Sequence, residues 1–222
     1  AMDPQQRVFL EECWKVIEDA GYSKKAFSES KCGVFAGAGP GDYSYLNPDI
    51  DKFSLTSRSP SILCARISYF LNMKGPSMSI DTACSSSLVA IHQACQSLYR
   101  GETEIALAGG VSVYTTPRLQ IECSKNGMLS ADGKCKTFDN SANGIALGEG
   151  VGLVMLKRLE AAERDGDRIY AVIRGSGINQ DGKTNGITAP SARSQAELLS
   201  EIYERHRIDP GTITYVEAHG TG

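Results

Sequence analysis

The sequence lacks several features that would place it in a specialised class of protein. No apolar run reaches the roughly 18 residues that a membrane-spanning helix needs. Only three histidines are present, which disfavours a histidine-rich metal centre. The seven cysteines are an odd number and include no CxxC pair, which argues against a disulfide scaffold and a zinc ribbon. Cysteines in this pattern indicate a reducing compartment.

The sequence also has little charge imbalance. Lys and Arg total 23 against 26 Asp and Glu, for a formal net charge of −3. A balance so near neutral offers no basic surface for nucleic acid or for an anionic membrane. Hydrophobic residues at 41% and charged residues at 22% are ordinary for a globular protein. We therefore expect a cytoplasmic α/β protein that binds neither nucleic acid nor a membrane.

Helical and strand patterns alternate along the chain. Helices are predicted after Asp3, which can cap the first of them, over 61–71, 85–99 and 158–164, after Pro117, and from Ser191 to about Arg205. Strands are predicted over 33–37, 77–81, 104–109, 150–156, 169–175 and 214–218. Such alternation favours a layered architecture with a largely parallel sheet.

The strongest local feature is the segment Asp81-Thr82-Ala83-Cys84-Ser85-Ser86-Ser87-Leu88. A strand passes through small residues into a helix predicted to begin at Cys84, which is the geometry of a nucleophile elbow, and the positive end of the helix favours a thiolate. Apolar residues at 88, 91, 95 and 98 predict a buried helix face that holds the thiol rigidly. The alternative is a small buried cysteine at a tight turn. The three serines, expected to form an exposed polar helix start, argue against that alternative.

A second candidate group lies in Glu217-Ala218-His219-Gly220-Thr221-Gly222. The last predicted strand delivers His219 to its carboxyl end, the edge at which α/β sheets bind ligands. We therefore expect His219 to pair with Cys84 in space, and a histidine that only satisfies a turn is the alternative. His92 is expected to be a core residue too far along its helix to act as a base, and His206 to lie on a solvated face.

Other candidate motifs fail. Residues 37–42 follow a strand but place Asp42 where a dinucleotide fingerprint needs a glycine, and there is no GxSxG or Walker A sequence. Asp132 and Asp139 are expected to have turn roles. The cysteines at 13, 32, 64 and 123 are expected to be small core residues.

An ordered set of motifs resembles the β-ketoacyl synthase domains of modular type I polyketide synthases, over essentially the whole chain. In chain order the motifs are Met2-Asp3-Pro4-Gln5-Gln6-Arg7, Gly75-Pro76-Ser77, the segment around Cys84, Gly109-Gly110-Val111, Lys136-Thr137-Phe138-Asp139, Gly148-Glu149-Gly150, Asn179-Gln180-Asp181-Gly182, Thr188-Ala189-Pro190-Ser191 and the segment around His219. Any single motif could mislead, but the ordered set makes chance implausible.

The resemblance implies a thiolase-like fold, in which two related halves stack in five α-β-α-β-α layers, usually as a homodimer. Complete domains of this family are about twice as long, so we expect residues 1–222 to be a partial ketosynthase domain truncated at both ends, the translation of an amplicon. It would hold most of the N-terminal half and the start of the C-terminal half.

The resemblance also implies an acyltransferase. Cys84 would take the acyl chain from the phosphopantetheine arm of an acyl carrier protein, and we expect no tightly bound cofactor or metal. His219 would assist decarboxylation of a malonyl-type extender on a second carrier and stabilise the enolate, which attacks the Cys84 thioester in a decarboxylative Claisen condensation. The second histidine and the lysine of the family lie outside the chain, so the fragment alone is expected to be inactive.

Three alternatives stay open from the residues. The chain could belong to a condensing domain of a fatty acid or polyunsaturated fatty acid synthase, which shares both motifs. It could be a non-catalytic ketosynthase-like partner, although the retained Cys84 and His219 argue against that. A thiolase acting on acyl-CoA thioesters would have different residues around the nucleophile.

Overall fold

A mixed four-stranded sheet organises the part of the chain described by the computed structural model, residues 2–46 and 54–221. Its strands are β1 (Cys32–Gly37), β2 (Ser77–Ile80), β3 (Ile105–Ser112) and β4 (Gly150–Lys157), arranged in the order β2-β1-β3-β4. The first three strands run parallel, and β4 is antiparallel to β3. The predicted, largely parallel sheet is thus confirmed, with one antiparallel neighbour.

The α-helices are α1 (Pro4–Asp19), α2 (Lys24–Glu29), α3 (Ser54–Arg58), α4 (Pro60–Leu71), α5 (Ser86–Tyr99), α6 (Arg118–Lys125), α7 (Leu159–Asp165) and α8 (Ala192–His206). Most were predicted to within a few residues, but the short helices α2 and α3 were not. None of the described helices is both long and apolar enough to cross a bilayer.

Helix α1 shows why its boundary could be predicted. The carboxylate of Asp3 accepts a hydrogen bond of 2.8 Å from the backbone N–H of Gln5, and Pro4 occupies the first helical position, where its missing N–H costs nothing. Cys13 and Ile17, four residues apart, are fully buried, whereas Trp14 points outward and is 42% exposed. Local capping therefore sets the start of the helix, and helical spacing sets its buried face.

The sheet is covered on both faces, which gives three layers. On one face, α1 and α4 pack in a core that contains Phe9, Ile67, Val34 and Leu107. On the other face, the small residues of α5 meet the opposite side chains of β1 and β3 in a second cluster: Phe35, Ala90, Ala94, Leu98, Ala106 and Ala108. All six residues of β1 are buried, as a central parallel strand requires.

The strands predicted over 169–175 and 214–218 are corrected by the structure, which assigns neither segment to a sheet. Their apolar side chains stay exposed, with Val172 at 48%, Ile173 at 47% and Tyr215 at 76%. An apolar run becomes a strand only when a neighbouring strand satisfies its backbone. No such neighbour stands beside either segment within the described residues.

Candidate active site

The turn between β2 and α5 carries Cys84. Strand β2 ends at Ile80 and α5 begins at Ser86, with Ser85 as its N-cap residue. The helix therefore begins one residue after the start of the predicted range 85–99, and Cys84 lies immediately before the cap. Cys84 is exposed. Within the described residues the turn therefore does not bury this thiol, as the alternative of a structural cysteine would require.

The backbone conformation of Ala83 makes this turn sharp. Its φ is +54°, in the left-handed region that an L-residue avoids at a cost of roughly 1–2 kcal/mol. The carboxylate of Asp81 accepts a hydrogen bond of 3.1 Å from the backbone N–H of Ala83. A strained residue directly before an exposed thiol is the kind of feature that clusters at active sites.

The serines after Cys84 are not the uniformly exposed set that was expected. Ser86 is buried, and its hydroxyl lies 2.8 Å from the backbone nitrogen of Thr82 and 2.6 Å from the carbonyl oxygen of Ala83. The hydroxyl of Ser85 lies 2.9 Å from both oxygens of Thr82, those of its carbonyl and its side chain. These two serines therefore bond back onto the turn that precedes them.

The start of α5 rests directly on two glycines of the sheet. A Cβ at Gly37, the last residue of β1, would stand 2.4 Å from the backbone nitrogen of Ser87. A Cβ at Gly110 in β3 would stand 2.7 Å from the Cβ of Ser87. The start of α5 is therefore packed closely against Gly37, at the end of β1, and Gly110, within β3.

The buried face of α5 differs from the one predicted. Leu88 is 70% exposed, and Ile91 and Cys95 are only half-buried. The buried residues are Ser86, Ala90, Ala94, Ser97 and Leu98. Close approach to the glycine-containing strands selects small side chains over the largest apolar ones, which rotates the helix relative to the predicted face.

His219 lies at the end of the irregular segment after Thr212. It is exposed, and the neighbouring Gly220 accepts a hydrogen bond from the hydroxyl of Thr137 through its carbonyl oxygen. Within the described part of the chain, the side chains of Cys84 and His219 share no hydrogen bond. Their pairing stays a prediction.

The surroundings of His92 and His206 agree only in part with the expected core and surface positions. His92 is half-buried, and its Nδ1 lies 2.9 Å from the hydroxyl oxygen of Ser176. Burial, together with the positive charge of Arg205, holds the pKa of His92 below its ordinary value. His206 is exposed, but its ring lies close against the backbone of Gly175, where a Cβ would come within 2.8 Å.

Asp42, which stands where a dinucleotide motif would need a glycine, has a structural role that its local sequence does not indicate. Its carboxylate accepts backbone hydrogen bonds of 2.8 Å from both Thr115 and Thr116, and it also bonds both hydroxyls. Partial burial opposes ionisation, but these hydrogen bonds outweigh it and lower the pKa of Asp42 to about 2. Asp42 thereby ties the turn after β1 to the turn after β3, at the sheet edge from which Cys84 also emerges.

The remaining loop acids and cysteines take the expected roles. Asp132 accepts a hydrogen bond from Ser130 and pairs with Lys136 at 3.1 Å, and Asp139 accepts one of 2.7 Å from the N–H of Ser141. Cys13, Cys32, Cys64 and Cys123 are buried, whereas Cys135 is exposed like Cys84. Burial raises the pKa of the thiols of Cys13 and Cys64, and that of Cys32 to about 12.

Two family models match most of the chain. The model of the beta-ketoacyl synthase N-terminal domain matches residues 1–162, and that of the C-terminal domain matches residues 170–222. The chain belongs to the beta-ketoacyl synthase family, and its architecture is part of the thiolase-like fold of ketosynthases.

Individual relatives come from polyketide synthases. Polyketide synthases PksL and PksN of Bacillus subtilis (strain 168) are 55% and 51% identical over the whole chain, which spans 5% and 4% of their lengths. The ketosynthase from module 6 of the bacillaene synthase of Bacillus subtilis 168 is also 55% identical. Its TM-score with this chain is 0.93, and the aligned region covers 99% of this chain and 38% of the bacillaene ketosynthase chain. The oxazolomycin ketosynthase domain OzmH KS7 of Streptomyces albus JA3453 is 41% identical, with a TM-score of 0.93, and the chain covers 40% of it.

Proposed function

We propose that this chain is part of a ketosynthase domain of a modular polyketide synthase, which joins an acyl chain to a malonyl-type extender by decarboxylative Claisen condensation. The observation that carries the proposal is the exposed thiol of Cys84 at a strained strand-to-helix turn, in a chain 55% identical to a bacillaene synthase ketosynthase. Residues 1–222 would then be a partial domain, containing most of the N-terminal half and the start of the C-terminal half.

The thiol of Cys84 acts first. As a thiolate it attacks the thioester carbonyl of an acyl group carried on the phosphopantetheine arm of an acyl carrier protein. The new bond joins the Cys84 sulfur to the acyl carbon, and the pantetheine sulfur leaves and takes up a proton. The exposed position of Cys84, before the first turn of α5, favours this step because the helix start is electropositive.

His219 acts in the second step. A malonyl-type thioester on a second carrier loses carbon dioxide, and a hydrogen bond from the His219 imidazole stabilises the negative charge on the enolate oxygen. The enolate carbon attacks the Cys84 thioester, so that a carbon–carbon bond forms and the Cys84 thiolate leaves. The product is a β-ketoacyl chain, longer by two carbons, on the second carrier. No tightly bound cofactor is needed.

The two roles are separable by experiment in the intact ketosynthase domain that contains this chain. We expect Cys84→Ala to abolish the acyl-enzyme detected by mass spectrometry, and His219→Ala to keep the acyl-enzyme but lose condensation by at least about 1,000-fold. The matched controls are Cys135→Ala, at the other exposed cysteine, and His206→Ala, at another exposed histidine. Acylation that survives Cys84→Ala would refute the proposal.

We further propose that the domain forms a homodimer through the edge of β2. Among the described strands, β2 pairs only with β1 and β4 only with β3, so both leave an open edge. Met78 in β2 is 41% exposed, and an open edge strand favours pairing with another chain. Light scattering of the intact domain should give a dimer for the wild type and a monomer for Met78→Lys, with Met128→Lys, in an exposed loop, as the control. A dimer that withstands Met78→Lys would remove the β2 edge from the interface.

The cytoplasm is the proposed compartment. All seven cysteines are free, and four of them are buried; because structural disulfides are typical of oxidising compartments, unpaired cysteines favour the cytoplasm. Fractionation of cells that express the intact synthase should place the protein in the soluble cytoplasmic fraction, and recovery from a secreted fraction would contradict the assignment.

A further inference from the structure

The methyl side chain of Ala83 cannot form a hydrogen bond that would stabilise its left-handed backbone. In the described residues, the other non-glycine positions with positive φ are Asn72, Phe138 and Arg207. Asn72 and Arg207 cap the ends of α4 and α8, where the left-handed conformation is usual. Ala83 instead precedes a helix. Contacts with neighbouring residues must therefore stabilise the strained conformation of Ala83.

The hydroxyl of Ser86 bridges the two sides of Ala83. It accepts a hydrogen bond of 2.8 Å from the backbone N–H of Thr82 and donates one of 2.6 Å to the carbonyl oxygen of Ala83. The backbone N–H of Ser86 also donates to the Ala83 carbonyl, at 3.1 Å. Because that carbonyl belongs to the peptide bond leading into Cys84, its orientation sets the direction in which the Cys84 side chain leaves the turn.

The surroundings of Ser86 make this bridge strong. Ser86 is only 8% exposed, so water competes little for its two hydrogen bonds. The next residue, Ser87, is held against Gly37 and Gly110 of the sheet, so the helix start cannot follow the turn if the turn relaxes. Ser86 therefore connects a fixed helix to a strained turn.

We propose that Ser86 is a positioning residue for Cys84: its hydroxyl holds Ala83 in the left-handed conformation that presents the thiol for acylation. The proposal rests on the proposed function of Cys84 as the acylated nucleophile. It assigns Ser86 no contact with substrate. Loss of the hydroxyl should therefore act on the rate constant for acylation and leave the affinity for the carrier protein unchanged.

The chain offers a matched control one residue away. Ser87 is half-buried in the same turn of α5, and its hydroxyl makes no hydrogen bond within the described part of the chain. Ser87→Ala removes the same atom as Ser86→Ala and keeps the Cβ that faces Gly110. A second variant, Ala83→Gly, tests the mechanism because glycine adopts positive φ without strain.

The experiment measures acylation of Cys84 by an acyl thioester of carrier protein in the intact ketosynthase domain. We expect Ser86→Ala to lower kcat for acylation about tenfold, the equivalent of about 1.4 kcal/mol, with KM unchanged. Ser87→Ala and Ser86→Thr, which keeps the hydroxyl, should stay within about twofold of wild type. In the Ala83→Gly background, adding Ser86→Ala should cost less than about threefold, because the strain that Ser86 opposes is gone.

Each other outcome counts against the proposal. An unchanged kcat in Ser86→Ala would overturn it, as would an equal loss in the wild-type and Ala83→Gly backgrounds. Labelling of buried Cys13 and Cys64 by iodoacetamide reports unfolding, and a loss that coincides with such labelling and is not rescued by Ser86→Thr would assign Ser86 a merely structural role. If wild-type Cys84 itself forms no acyl-enzyme, the proposed function fails, which is a different result.

Discussion

Thr137 and Gly220 are joined by a hydrogen bond from the threonine hydroxyl to the glycine carbonyl oxygen. The contact connects the middle loop of the chain to the segment that carries His219. Gly220 has a φ of +58°, so the chain turns sharply directly after His219. A Cβ at Gly220 would come within 3.0 Å of the Thr137 methyl group. Thr137 therefore stabilises the turn at Gly220, which directly follows His219.

We expect Thr137→Val, which replaces the hydroxyl with a methyl group, to lower condensation by about threefold to tenfold in the intact domain. Acylation of Cys84 should be unchanged, because Thr137 contacts the segment of His219 rather than the turn of Cys84. Thr212→Val is the control, since the hydroxyl of Thr212 bonds the local carbonyl of Asp209. Equal losses in acylation and condensation would show that Thr137 acts on the whole site.

Thiol labelling should separate the exposed from the buried cysteines. Burial raises the pKa of the thiols of Cys13 and Cys64, so iodoacetamide at about pH 8 should modify them at least about 100-fold more slowly than Cys84. The more searching comparison is with Cys135, which is exposed like Cys84 but does not adjoin a helix start. We expect Cys84 to react about tenfold faster than Cys135 in peptide mass spectra. Equal rates would mean that the helix terminus does not activate Cys84.

Asp42→Asn should destabilise the fold in a pH-dependent way. The amide keeps one acceptor oxygen and presents an NH₂ group to the donors of Thr115 and Thr116, at a cost of about 1–3 kcal/mol. The pKa of Asp42 is about 2 in the folded chain against 3.8 for the free group. Its carboxylate therefore stabilises the fold fully above about pH 4, and this stabilisation is lost as the pH falls towards about 2.

Thermal melts of the wild type and Asp42→Asn check this expectation. The Tm difference should be several degrees at about pH 7 and should shrink at about pH 3. Asp132→Asn, at an exposed loop carboxylate, is the control and should change Tm little. A Tm difference that does not depend on pH would show that charge at Asp42 contributes nothing.

Gly37→Ala tests the close contact between the end of β1 and the start of α5. The added Cβ would stand 2.4 Å from the backbone nitrogen of Ser87, so the helix start must shift, at a cost of about 1–3 kcal/mol. We expect a lower Tm and a slower acylation of Cys84. Gly150→Ala, where a Cβ meets nothing within 4 Å, should change neither. Unchanged acylation in Gly37→Ala would show that the glycine contact does not position the turn.

Local signals sufficed for much of the framework. The Asp3-Pro4 cap and the strand-turn-helix around Cys84 each depend on residues within a few positions of one another. The exposed thiol followed from the same local pattern. The role of His219 rests on resemblance, and its pairing with Cys84 stays a prediction, because no local pattern encodes a contact across the chain.

Caps and apolar periodicity, which are properties of neighbouring residues, were enough to locate most helices and strands and the cysteine at the turn. The outward position of Leu88, the connection of two turns by Asp42 and the contact of Ser87 with Gly37 depend instead on how distant segments pack. So does the position of the segments 169–175 and 214–218 outside the sheet. Burial and strand pairing depend on which distant surfaces meet, and a stretch of apolar residues does not specify the segment that it will pack against.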